Sequence, residues 1–469
     1  MVRSIMWFRN DLRLHDNEAL NDAISHNQEI LPLYVIDPRL FNGHTSYGFR
    51  KANKFRVQFI LESLHALKSN LQEIGSDLCI RVGKPEEVIP EIAREIRSSY
   101  VYCNRERTRD EVAVQDDLEQ GLWVIGQEMR YYRGKMLYYT ADLPFPVTHC
   151  PDTFSQFRKE IEKFVSIRKP LTAPSDIKSL SLEIDMGTIP CLKDFGYQET
   201  NQPAQFKGGE TEALKQLNFY LWDSNLIESY FNSRNGLLGR DFSSKFSAHL
   251  SKGTLSPKLV LSELKKYENE VVKNKSTYWL SFELLWRDFF RLMGKKHGNK
   301  IFHSTGTKGK LEIKLYDNEV LFEKWTTGRT GIPFVDANMR ELNATGFMSN
   351  RGRQNVASFL VKDLKINWIW GAEYFESLLV DYDPCSNYGN WNYIAGVGSD
   401  PREGRYFNIP LQAKKYDPEG AYMRHWLPEL SDAPLKFLFN PFQVSKDEFN
   451  NESIYPNPCI EIKNWKEIS

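Results

Sequence analysis

The stretch that decides the fold of the C-terminal half is TGIPFVDANMRELNATGFMSNRGRQNVASFLVK, residues 330–362. It combines apolar residues at helical spacing with amides and arginines, and the run SNYGNWNY (386–393) adds an indole and phenols further on. Apolar residues at that spacing would be sufficient for a plain core helix. The added polar groups and redox-active aromatics therefore predict helices that enclose a large conjugated cofactor.

Outward from this stretch, the N-terminal third alternates strand and helix patterns. Apolar runs that predict strands lie at 3–8, 30–37, 78–82, 99–104 and 129–133. Helical periods separate them, at 17–25, 50–74, 86–96 and 110–120. The alternation predicts an α/β domain with a five-stranded, doubly wound parallel sheet. Because no GxGxxG follows the first strand and no GxxxxGK[ST] occurs, a Rossmann dinucleotide site or a P-loop is unsupported.

Beyond the fifth predicted strand the periodicity fails and prolines accumulate, which predicts a long connector over the surface. Strand signals do not return after it. Helical spacing then recurs at 211–222, 257–267, 278–293, 334–342, 354–368 and 373–379. We therefore predict three parts: an α/β domain at 1–133, a connector at 134–205 and an all-α domain at 206–469.

Composition limits the classes of function. Lys plus Arg and Asp plus Glu both total 61 in 469 residues, so the net charge gives no indication of nucleic-acid binding. A local basic patch would nevertheless be sufficient to contact phosphates. The six cysteines lack CxxC pairing, which favours a reducing compartment and argues against a zinc site. Neither a signal or transit peptide nor an apolar stretch of membrane-spanning length is evident. We expect a cytoplasmic, metal-free monomer.

The motifs of the C-terminal half resemble the flavin-binding half of the photolyase/cryptochrome family, and in detail they are most similar to its cryptochrome DASH branch. The resemblance is strong from residue 230 to about residue 427 and weak in the connector. It implies that the helical domain binds FAD, and that Arg353 pairs with Asp381 beside the flavin ring. The residues it places at the flavin are Tyr230, Ser243, Ser244, Lys245, Phe246, Ser247, Glu283, Arg287, Asn350, Arg353, Asp381, Asp383 and Asn387.

Two of these segments also have plainer interpretations. Taken alone, the hydroxyls of SSKFS (243–247) would be a helix cap, whereas the resemblance assigns them to the FAD pyrophosphate. Glu283, Trp286 and Arg287 share one helical face, where a Glu283–Arg287 ion pair is the alternative. In photolyases the matching Glu hydrogen-bonds the damaged pyrimidine and the matching Trp stacks on it. The resemblance therefore places Glu283 and Trp286 in a substrate cavity.

Asn350 stands where signalling plant cryptochromes carry Asp, and an amide near the flavin favours its fully reduced form. Trp391 and Trp368 correspond to the inner and middle members of the family's electron relay, with two core tryptophans as the plain alternative. The outer tryptophan is expected ten residues before Trp325, where this chain has Leu315, with Tyr316 beside it. Tyr316 or another aromatic ends the relay, or photoreduction is weak.

Two positions indicate which DNA the protein prefers. Tyr393 and Gln354 stand where photolyases of double-stranded DNA carry Trp and Met. A smaller, more polar cavity predicts a preference for single-stranded or looped DNA. Basic residues near the cavity segments predict phosphate contacts, with ordinary solvated charges as the alternative: Arg351, Arg402, Arg405, Lys414, Lys415 and Arg424.

Glu106 lies in NRERTRDEV (104–112), at the end of the fourth predicted strand. The family's folate antenna, 5,10-methenyltetrahydrofolate, is held there by a carboxylate, which can accept two hydrogen bonds from a pterin ring. A solvated carboxylate is the plain alternative for Glu106. A deazaflavin or an empty site is the alternative for the antenna.

The resemblance implies a deoxyribodipyrimidine photo-lyase. Its reaction would be the light-driven repair of cyclobutane pyrimidine dimers in UV-damaged DNA, preferentially single-stranded or looped, by an electron from excited reduced FAD. A blue-light photoreceptor with a signalling role is the first alternative. A dark electron-transfer flavoprotein, and a photolyase for duplex DNA or for the other major ultraviolet lesion, are the others.

Overall fold

The computed structural model describes residues 2–198, 205–311, 313–399, 406–445, 448–449, 454–462 and 465. By its internal contacts the chain divides into two compact units. Unit 1 comprises residues 1–228, 244–299 and 380–386. Unit 2 comprises residues 229–243, 300–379 and 387–469.

Unit 1 contains a parallel sheet. Its strands are β1 (Arg3–Phe8), β2 (Glu29–Ile36), β3 (Cys79–Val82), β4 (Tyr100–Asn104) and β5 (Glu128–Tyr132). They lie in the spatial order β3-β2-β1-β4-β5, and every neighbouring pair is parallel. The predicted five-stranded α/β sheet is confirmed, and each predicted strand end lies within one residue of the observed end.

The helices of the described residues, numbered in chain order, are α1 (Glu18–His26), α2 (Pro38–Phe41), α3 (Lys54–Glu73), α4 (Pro85–Glu95), α5 (Arg109–Val124), α6 (Phe154–Phe164), α7 (Glu210–Asn218), α8 (Tyr230–Ser233), α9 (Ser247–Lys252), α10 (Pro257–Glu270), α11 (Lys275–His297), α12 (Glu319–Thr326), α13 (Pro333–Thr345), α14 (Asn350–Ser358), α15 (Trp368–Leu378), α16 (Pro384–Ala395), α17 (Ile409–Tyr416), α18 (Ala421–Trp426) and α19 (Leu435–Phe439). Helices predominate after α7, and no strand follows β5 in the described part of the chain. The predicted all-α C-terminal half is therefore confirmed.

Alternating residues of β1 build the two faces of the sheet. Met6 and Phe8 join one apolar cluster, which α1 and α3 complete, while Ile5 and Trp7 join another, which α4 and α5 complete. The sheet is thus covered on both faces, as expected for a doubly wound fold. The carboxyl ends of its strands form the edge at which such folds bind ligands.

Helix α6 lies inside the predicted connector and was missed from the sequence. Its residues Phe154, Phe157 and Ile161 are buried and recur three and four positions apart, which is the pattern of an amphipathic helix. Prolines on both sides of this short helix concealed the signal. The region at 134–205 therefore contains a helix that packs as part of unit 1.

The predicted single helix at 354–368 is wrong. Helix α14 begins earlier and ends at Ser358, and a π-helical turn follows at Phe359–Asp363. Lys365 then adopts a φ of 54°, a left-handed conformation that cannot continue a helix. The side chain of Asn367 accepts the N–H of Ile369 and starts α15, so Trp368 opens a new helix.

Two features are absent from the described ranges of the chain. No helix there combines the length and the apolar character that a bilayer crossing requires. Nor does a group of three or more His, Cys, Asp or Glu side chains lie together in a way that could hold a metal ion.

Candidate active site

Helix α11 of unit 1 carries the residues predicted to face the substrate. The side chain of Asn274 caps it by accepting the N–H groups of Ser276 at 2.7 Å and Thr277 at 3.1 Å. Neither glycine nor proline interrupts residues 275–293. Glu283 and Trp286 therefore follow each other on one continuous helical surface.

The Glu283 carboxylate has a partner within its own helix. Nε1 of Trp279, one turn earlier, donates to Oε1 of Glu283 at 3.0 Å. The guanidinium of Arg287 donates instead to the carbonyl oxygens of Lys135 at 2.7 Å and Leu250 at 3.0 Å. The Glu283–Arg287 ion pair considered from the sequence is therefore not the observed arrangement. The sequence argument did not single out Trp279 as the partner of Glu283, although the i,i+4 spacing was a usable signal.

The Trp286 indole is stacked on Phe154 of α6. The ring centroids lie 3.7 Å apart and the ring planes differ by 9°. Phe290, one turn further along α11, has its ring centroid 5.4 Å from that of Trp286. Phe154 therefore covers one face of the Trp286 indole. Phe154 was missed because α6 was missed.

Glu106 belongs to a buried ion-pair network at the end of β4. Its carboxylate, in a residue only 3% exposed, contacts Nζ of Lys135 and accepts from Arg291 at 3.3 Å and from Asn10 at 3.2 Å. Arg291 also donates to Asp383 at 3.0 Å. Burial alone would raise the pKa of Glu106, but the charges of Lys135 and Arg291 outweigh it and hold that pKa below its ordinary value.

This network bears on the folate antenna predicted at Glu106. Holding a pterin would require both carboxylate oxygens as acceptors. Oε1 already accepts from Lys135 and Asn10, and Oε2 accepts from Arg291. These contacts use three of the roughly four acceptor positions of the carboxylate, so a folate held by Glu106 stays a prediction. The solvated carboxylate considered as the plain alternative is not what is observed.

The run SSKFS leads into α9. Ser244, Lys245 and Phe246 are buried, Ser243 is half-buried and Ser247 is exposed. Lys245 has a φ of 58°, a left-handed conformation that is uncommon outside glycine and that clusters at ligand-binding turns. Hydroxyls and an ammonium group are suitable donors for a pyrophosphate. The donor set fits the FAD role that the resemblance implies, and that role stays a prediction.

In unit 2, Asn350 is exposed at the first position of α14. Gly352 allows α14 to approach α13 closely, because a Cβ at this position would lie 1.9 Å from Oδ1 of Asn338. Nε of Arg353 donates to the carbonyl oxygen of Met348 at 2.8 Å. Gly352 therefore lies on the side of α14 that packs against α13.

Two more predicted flavin residues of unit 2 are buried. Nδ2 of Asn387 donates to the carbonyl oxygen of Ala372 in α15 at 2.9 Å, which orients the amide. Tyr230 is buried at the start of α8. The amides and guanidinium of this unit are chemically suited to the polar edge of a flavin. The pairing of Arg353 with Asp381, which belongs to unit 1, stays a prediction.

The two predicted relay tryptophans are neighbours in unit 2. Trp368 is fully buried at the start of α15, and its Nε1 donates to the carbonyl oxygen of Ser304 at 3.0 Å. Trp391 of α16 packs against Gly371, where a Cβ would lie 2.3 Å from the indole. Gly371 is about one turn beyond Trp368 on the same helix. Trp368 thus lies in the first turn of α15, and Trp391 of α16 packs against the next turn of α15, at Gly371.

Tyr316 lies beside the segment that leads into Trp368. Its N–H donates to the carbonyl oxygen of Lys365 at 2.8 Å, and its carbonyl oxygen accepts from Asn367 at 3.1 Å. Its side chain is at the surface, with the residue 49% exposed. Tyr316 is thus an exposed phenol beside the segment that precedes Trp368, and its place as the end of the relay stays a prediction.

The predicted DNA-contacting residues have different environments. The Arg351 guanidinium lies 4.5 Å over the ring of Tyr416 and donates to Gln354 at 3.0 Å. Lys414 and Lys415 are exposed on α17, and Nζ of Lys415 lies 5.3 Å from the same ring. Arg351, Lys415 and the aromatic Tyr416 therefore form one cationic surface.

The remaining basic residues give no further support to this surface. Arg424 donates to the carbonyl oxygens of Glu419 at 2.7 Å, Ser431 at 2.9 Å and Ala433 at 2.8 Å, so it holds the local backbone together. Arg402 and Arg405 lie outside the described residues.

Lys252, at the end of α9, is a buried lysine that no sequence motif indicated. Its Nζ donates to the carbonyl oxygen of Tyr382 at 3.2 Å. Among the described residues it has no carboxylate at ion-pair distance. Burial, together with the charges of Arg56 and Lys135, lowers the pKa of Lys252 to about 7. Its ammonium form therefore weakens the fold at neutral pH.

We expect Lys252→Met to stabilise the protein at pH 7 by on the order of 1–3 kcal/mol, because the substitution removes a poorly paired buried charge. The folded pKa lies below the unfolded value of about 10.4. The native protein thus loses stability as the pH falls from about 10 to about 7, and the gain in the variant should be larger at pH 7 than at pH 10. Thermal unfolding followed by circular dichroism at both pH values measures the difference.

Lys258→Met is the matched control for this prediction. Lys258 is also buried, but its Nζ lies 2.9 Å from Asp16 and 3.3 Å from Glu18. Its removal should lower the unfolding temperature, because two carboxylates lose their partner. A Lys252→Met variant that melts at or below the parent temperature at pH 7 would contradict the prediction.

Known proteins resemble this chain over nearly its full length. Residues 279–469 match the family model described as the FAD binding domain of DNA photolyase, and residues 4–175 match the one described as DNA photolyase. A cryptochrome DASH of Gloeobacter violaceus is 47% identical over 467 residues, which are 98% of this chain and 93% of that protein.

Solved structures agree with this similarity. A cryptochrome from Synechocystis sp. PCC6803 matches with a TM-score of 0.95 at 46% identity, over 100% of this chain and 98% of that chain. A bacterial class III photolyase from Agrobacterium tumefaciens matches with a TM-score of 0.85 at 28% identity, over 100% of this chain and 96% of that chain.

Proposed function

Because this chain belongs to the photolyase/cryptochrome family and has cryptochrome DASH relatives over nearly its full length, we propose that it repairs cyclobutane pyrimidine dimers in light. FAD is the cofactor that its C-terminal family domain binds. The proposed substrate is UV-damaged DNA, preferentially single-stranded or looped.

The arrangement on α11 supports the proposal best. Glu283, oriented by the indole N–H of Trp279 at 3.0 Å, presents a carboxyl group that can hydrogen-bond to the polar edge of a pyrimidine. Trp286, whose indole is parallel to the ring of Phe154, is the aromatic side chain on which a base would stack. One helix thus combines an edge-recognition group with a stacking platform, which is what recognition of a base outside the helical stack requires.

FAD, when bound and fully reduced, would supply under illumination the electron that splits the cyclobutane bonds, and would regain it afterwards. The side chains of the protein would bind FAD and orient it. The SSKFS run would hold the pyrophosphate, and Asn350, Arg353 and Asn387 would contact the ring. The amide of Asn350 can donate or accept a hydrogen bond without transferring a proton.

The preference for single strands rests on the proposed cavity. The amide oxygen of Gln354 accepts a hydrogen bond from Arg351 at 3.0 Å, which orients this polar side chain. Photolyases of double-stranded DNA carry an apolar Met at the matching position, which would favour binding of a dimer flipped out of a duplex. Arg351 and Lys415 flank Tyr416, which suits a phosphate backbone and a stacked base. A dimer in a single strand needs no unstacking from a duplex, a cost of a few kcal/mol.

A repair assay tests the proposal. Protein with reduced flavin is mixed with oligonucleotides that contain one dimer, single-stranded or duplex, and is illuminated or kept dark. We expect repair only in light, with the single strand repaired at least about tenfold faster. Absence of repair under light on both substrates, with the flavin bound and reduced, would refute the repair function and leave signalling as the alternative. Equal rates on the two substrates would refute only the strand preference.

A further inference from the structure

Two large apolar side chains in the last turn of α5 are almost fully exposed. Trp123 is 80% exposed and Val124 is 86% exposed, although tryptophan is highly buried on average in folded proteins. The same helix meets the sheet through Leu118 and Leu122, which belong to one of its two apolar clusters. Trp123 and Val124 therefore contribute nothing to the core of unit 1.

The surface around Trp123 is acidic. Exposed Asp116 and Glu119 lie seven and four residues before it, so they share its side of the helix, and Asp117 is exposed beside them. Among the described residues, neither Asp116 nor Asp117 has a cation at ion-pair distance. Lys, Arg and His do not occur between residues 110 and 129. We name Asp116, Asp117, Glu119, Trp123 and Val124 the acidic tryptophan surface.

Helix α4 extends this negative charge. It packs closely against α5, because a Cβ on Gly121 would lie 3.5 Å from Cγ of Pro90. Its exposed residues include Glu91 and Glu95, and Arg94 is the one basic residue of the helix. The phosphates of nucleic acids or of anionic lipids would be repelled here. The surface therefore suits a cationic protein surface that also presents an apolar side chain.

A surface with these properties lies on the same chain, at the end of α6. Phe164 is 62% exposed in the last turn of that helix. Lys159 and Lys163 are exposed one turn apart, and Nζ of Lys163 lies 4.9 Å from the centroid of the Phe164 ring. Lys169 is exposed in the segment that follows. We name Lys159, Lys163, Phe164 and Lys169 the basic phenylalanine surface.

Ordinary explanations account for the lysines but not for the aromatic rings. The dipole of α6 favours a cation such as Lys163 at its C-terminus, and most lysines are solvated. Among the described residues, however, none of the three lysines has a carboxylate at ion-pair distance. Arg168 is not part of the surface, because Asp142 accepts from it at 2.6 Å. Each surface thus combines an exposed aromatic ring with unpaired charge, and the two charges have opposite signs.

We infer that the acidic tryptophan surface of one copy of the chain docks on the basic phenylalanine surface of a second copy. A lysine ammonium group is attracted to the face of an exposed indole, and the carboxylates of Asp116 and Asp117 can pair with the other lysines. An exposed tryptophan is also a frequent anchor of protein interfaces. Because the two surfaces differ, the contact is heterologous and joins copies head to tail. At low concentration the chain stays the monomer expected from the sequence.

Sedimentation velocity of the flavin-loaded full chain in the dark, from low to high micromolar concentration, tests this inference. We expect the weight-average sedimentation coefficient to rise with protein concentration and to fall when salt is added. Trp123→Gln and Phe164→Gln should each weaken the association at least about tenfold, because each removes an aromatic anchor. Val271→Gln is the matched control, since Val271 is an exposed apolar residue at the end of α10, outside both surfaces. It should associate like the parent.

Two charge-reversal variants separate docking from misfolding. Asp116→Lys/Asp117→Lys makes the α5 surface basic, and Lys159→Glu/Lys163→Glu makes the α6 surface acidic. Each variant alone should stay monomeric, because its two surfaces then carry charge of the same sign. A mixture of the two variants should associate again, because a basic α5 surface then meets an acidic α6 surface.

Three outcomes would overturn the inference. The first is a single species of monomer mass at every concentration. The second is association that Trp123→Gln and Phe164→Gln leave unchanged, or a mixture of the charge-reversal variants that stays monomeric. The third is a monomeric chain whose binding of a single-stranded oligonucleotide is lost in Lys159→Glu/Lys163→Glu, which would assign the basic surface to nucleic acid. Sedimentation in the dark measures no repair, so these outcomes are independent of the proposed function.

Discussion

A Glu283→Gln variant is expected to repair dimers roughly 10- to 100-fold more slowly than the parent chain while its flavin content is unchanged. Glutamine keeps the length of the side chain and an oxygen that can accept from Trp279, so the local geometry should persist. What it loses is the carboxyl group itself, with its charge and its second oxygen. The measurement is the single-turnover repair rate on a single-stranded substrate, with flavin quantified by absorbance.

A companion variant separates the roles of Glu283 and its helical neighbour. Trp279→Phe removes the indole N–H but keeps an aromatic ring next to Phe282, whose centroid lies 4.5 Å from that of Trp279. We expect a smaller loss of repair, because the carboxyl group remains but is no longer oriented. Since Trp279 would act through Glu283, the double variant should be no slower than Glu283→Gln alone.

Glu268→Gln is the control carboxylate. Glu268 belongs to α10 and accepts a hydrogen bond at 2.8 Å from Oγ1 of Thr277. Thr277 lies in the first turn of α11, nine residues before Trp286. Its substitution should affect stability more than repair. If Glu283→Gln repaired dimers at the parent rate, Glu283 would have no part in the reaction and the substrate surface would have to be placed elsewhere.

Trp391→Phe is expected to abolish the light-driven reduction of oxidised flavin, while repair by chemically reduced flavin persists. The indole is easily oxidised and the phenyl ring is not, and the indole lies against α15 about one turn from Trp368. The measurement is loss of oxidised-flavin absorbance under blue light with an external reductant. Tyr316→Phe should lower the yield of the same reaction, since it removes the oxidisable group at the solvent side.

Trp325→Phe distinguishes an electron relay from a packed aromatic core. The ring centroid of Trp325 lies 6.4 Å from that of Trp391, and its Nε1 donates to Val356 at 3.0 Å inside the core. This variant should lose roughly 1–3 kcal/mol of stability and keep photoreduction. Photoreduction that survives Trp391→Phe but fails in Trp325→Phe would place the route through Trp325 instead.

The strands could be predicted to within a residue because each is a short apolar run between turn signals. The helical region at 354–368 could not, because its break depends on backbone geometry. The π turn and the left-handed Lys365 leave no apolar gap in the sequence. Periodicity reports which residues are apolar and says little about where a helix changes its hydrogen bonding.

For the candidate site, sequence motifs indicated which residues matter but not what they contact. The Glu283–Trp279 contact is local and could have been derived from the i,i+4 spacing. Glu106 contacts Lys135, 29 positions away, and Arg291, 185 positions away. Contacts of that separation follow from the tertiary fold. For this reason the resemblance located Glu106 correctly at a strand end, yet could not show that its carboxylate was already engaged.

Gly371 has a consequence for the speed of charge movement. A Cβ there would lie 2.3 Å from the Trp391 ring, whereas ordinary contact begins at 3.4 Å, so even one methyl group would displace the indole or the helix by about an ångström. Tunnelling rates fall exponentially with separation. If Trp391 carries the proposed electron transfer, the absence of a side chain at Gly371 keeps the indole close to α15 and so shortens the distance that the electron has to cross.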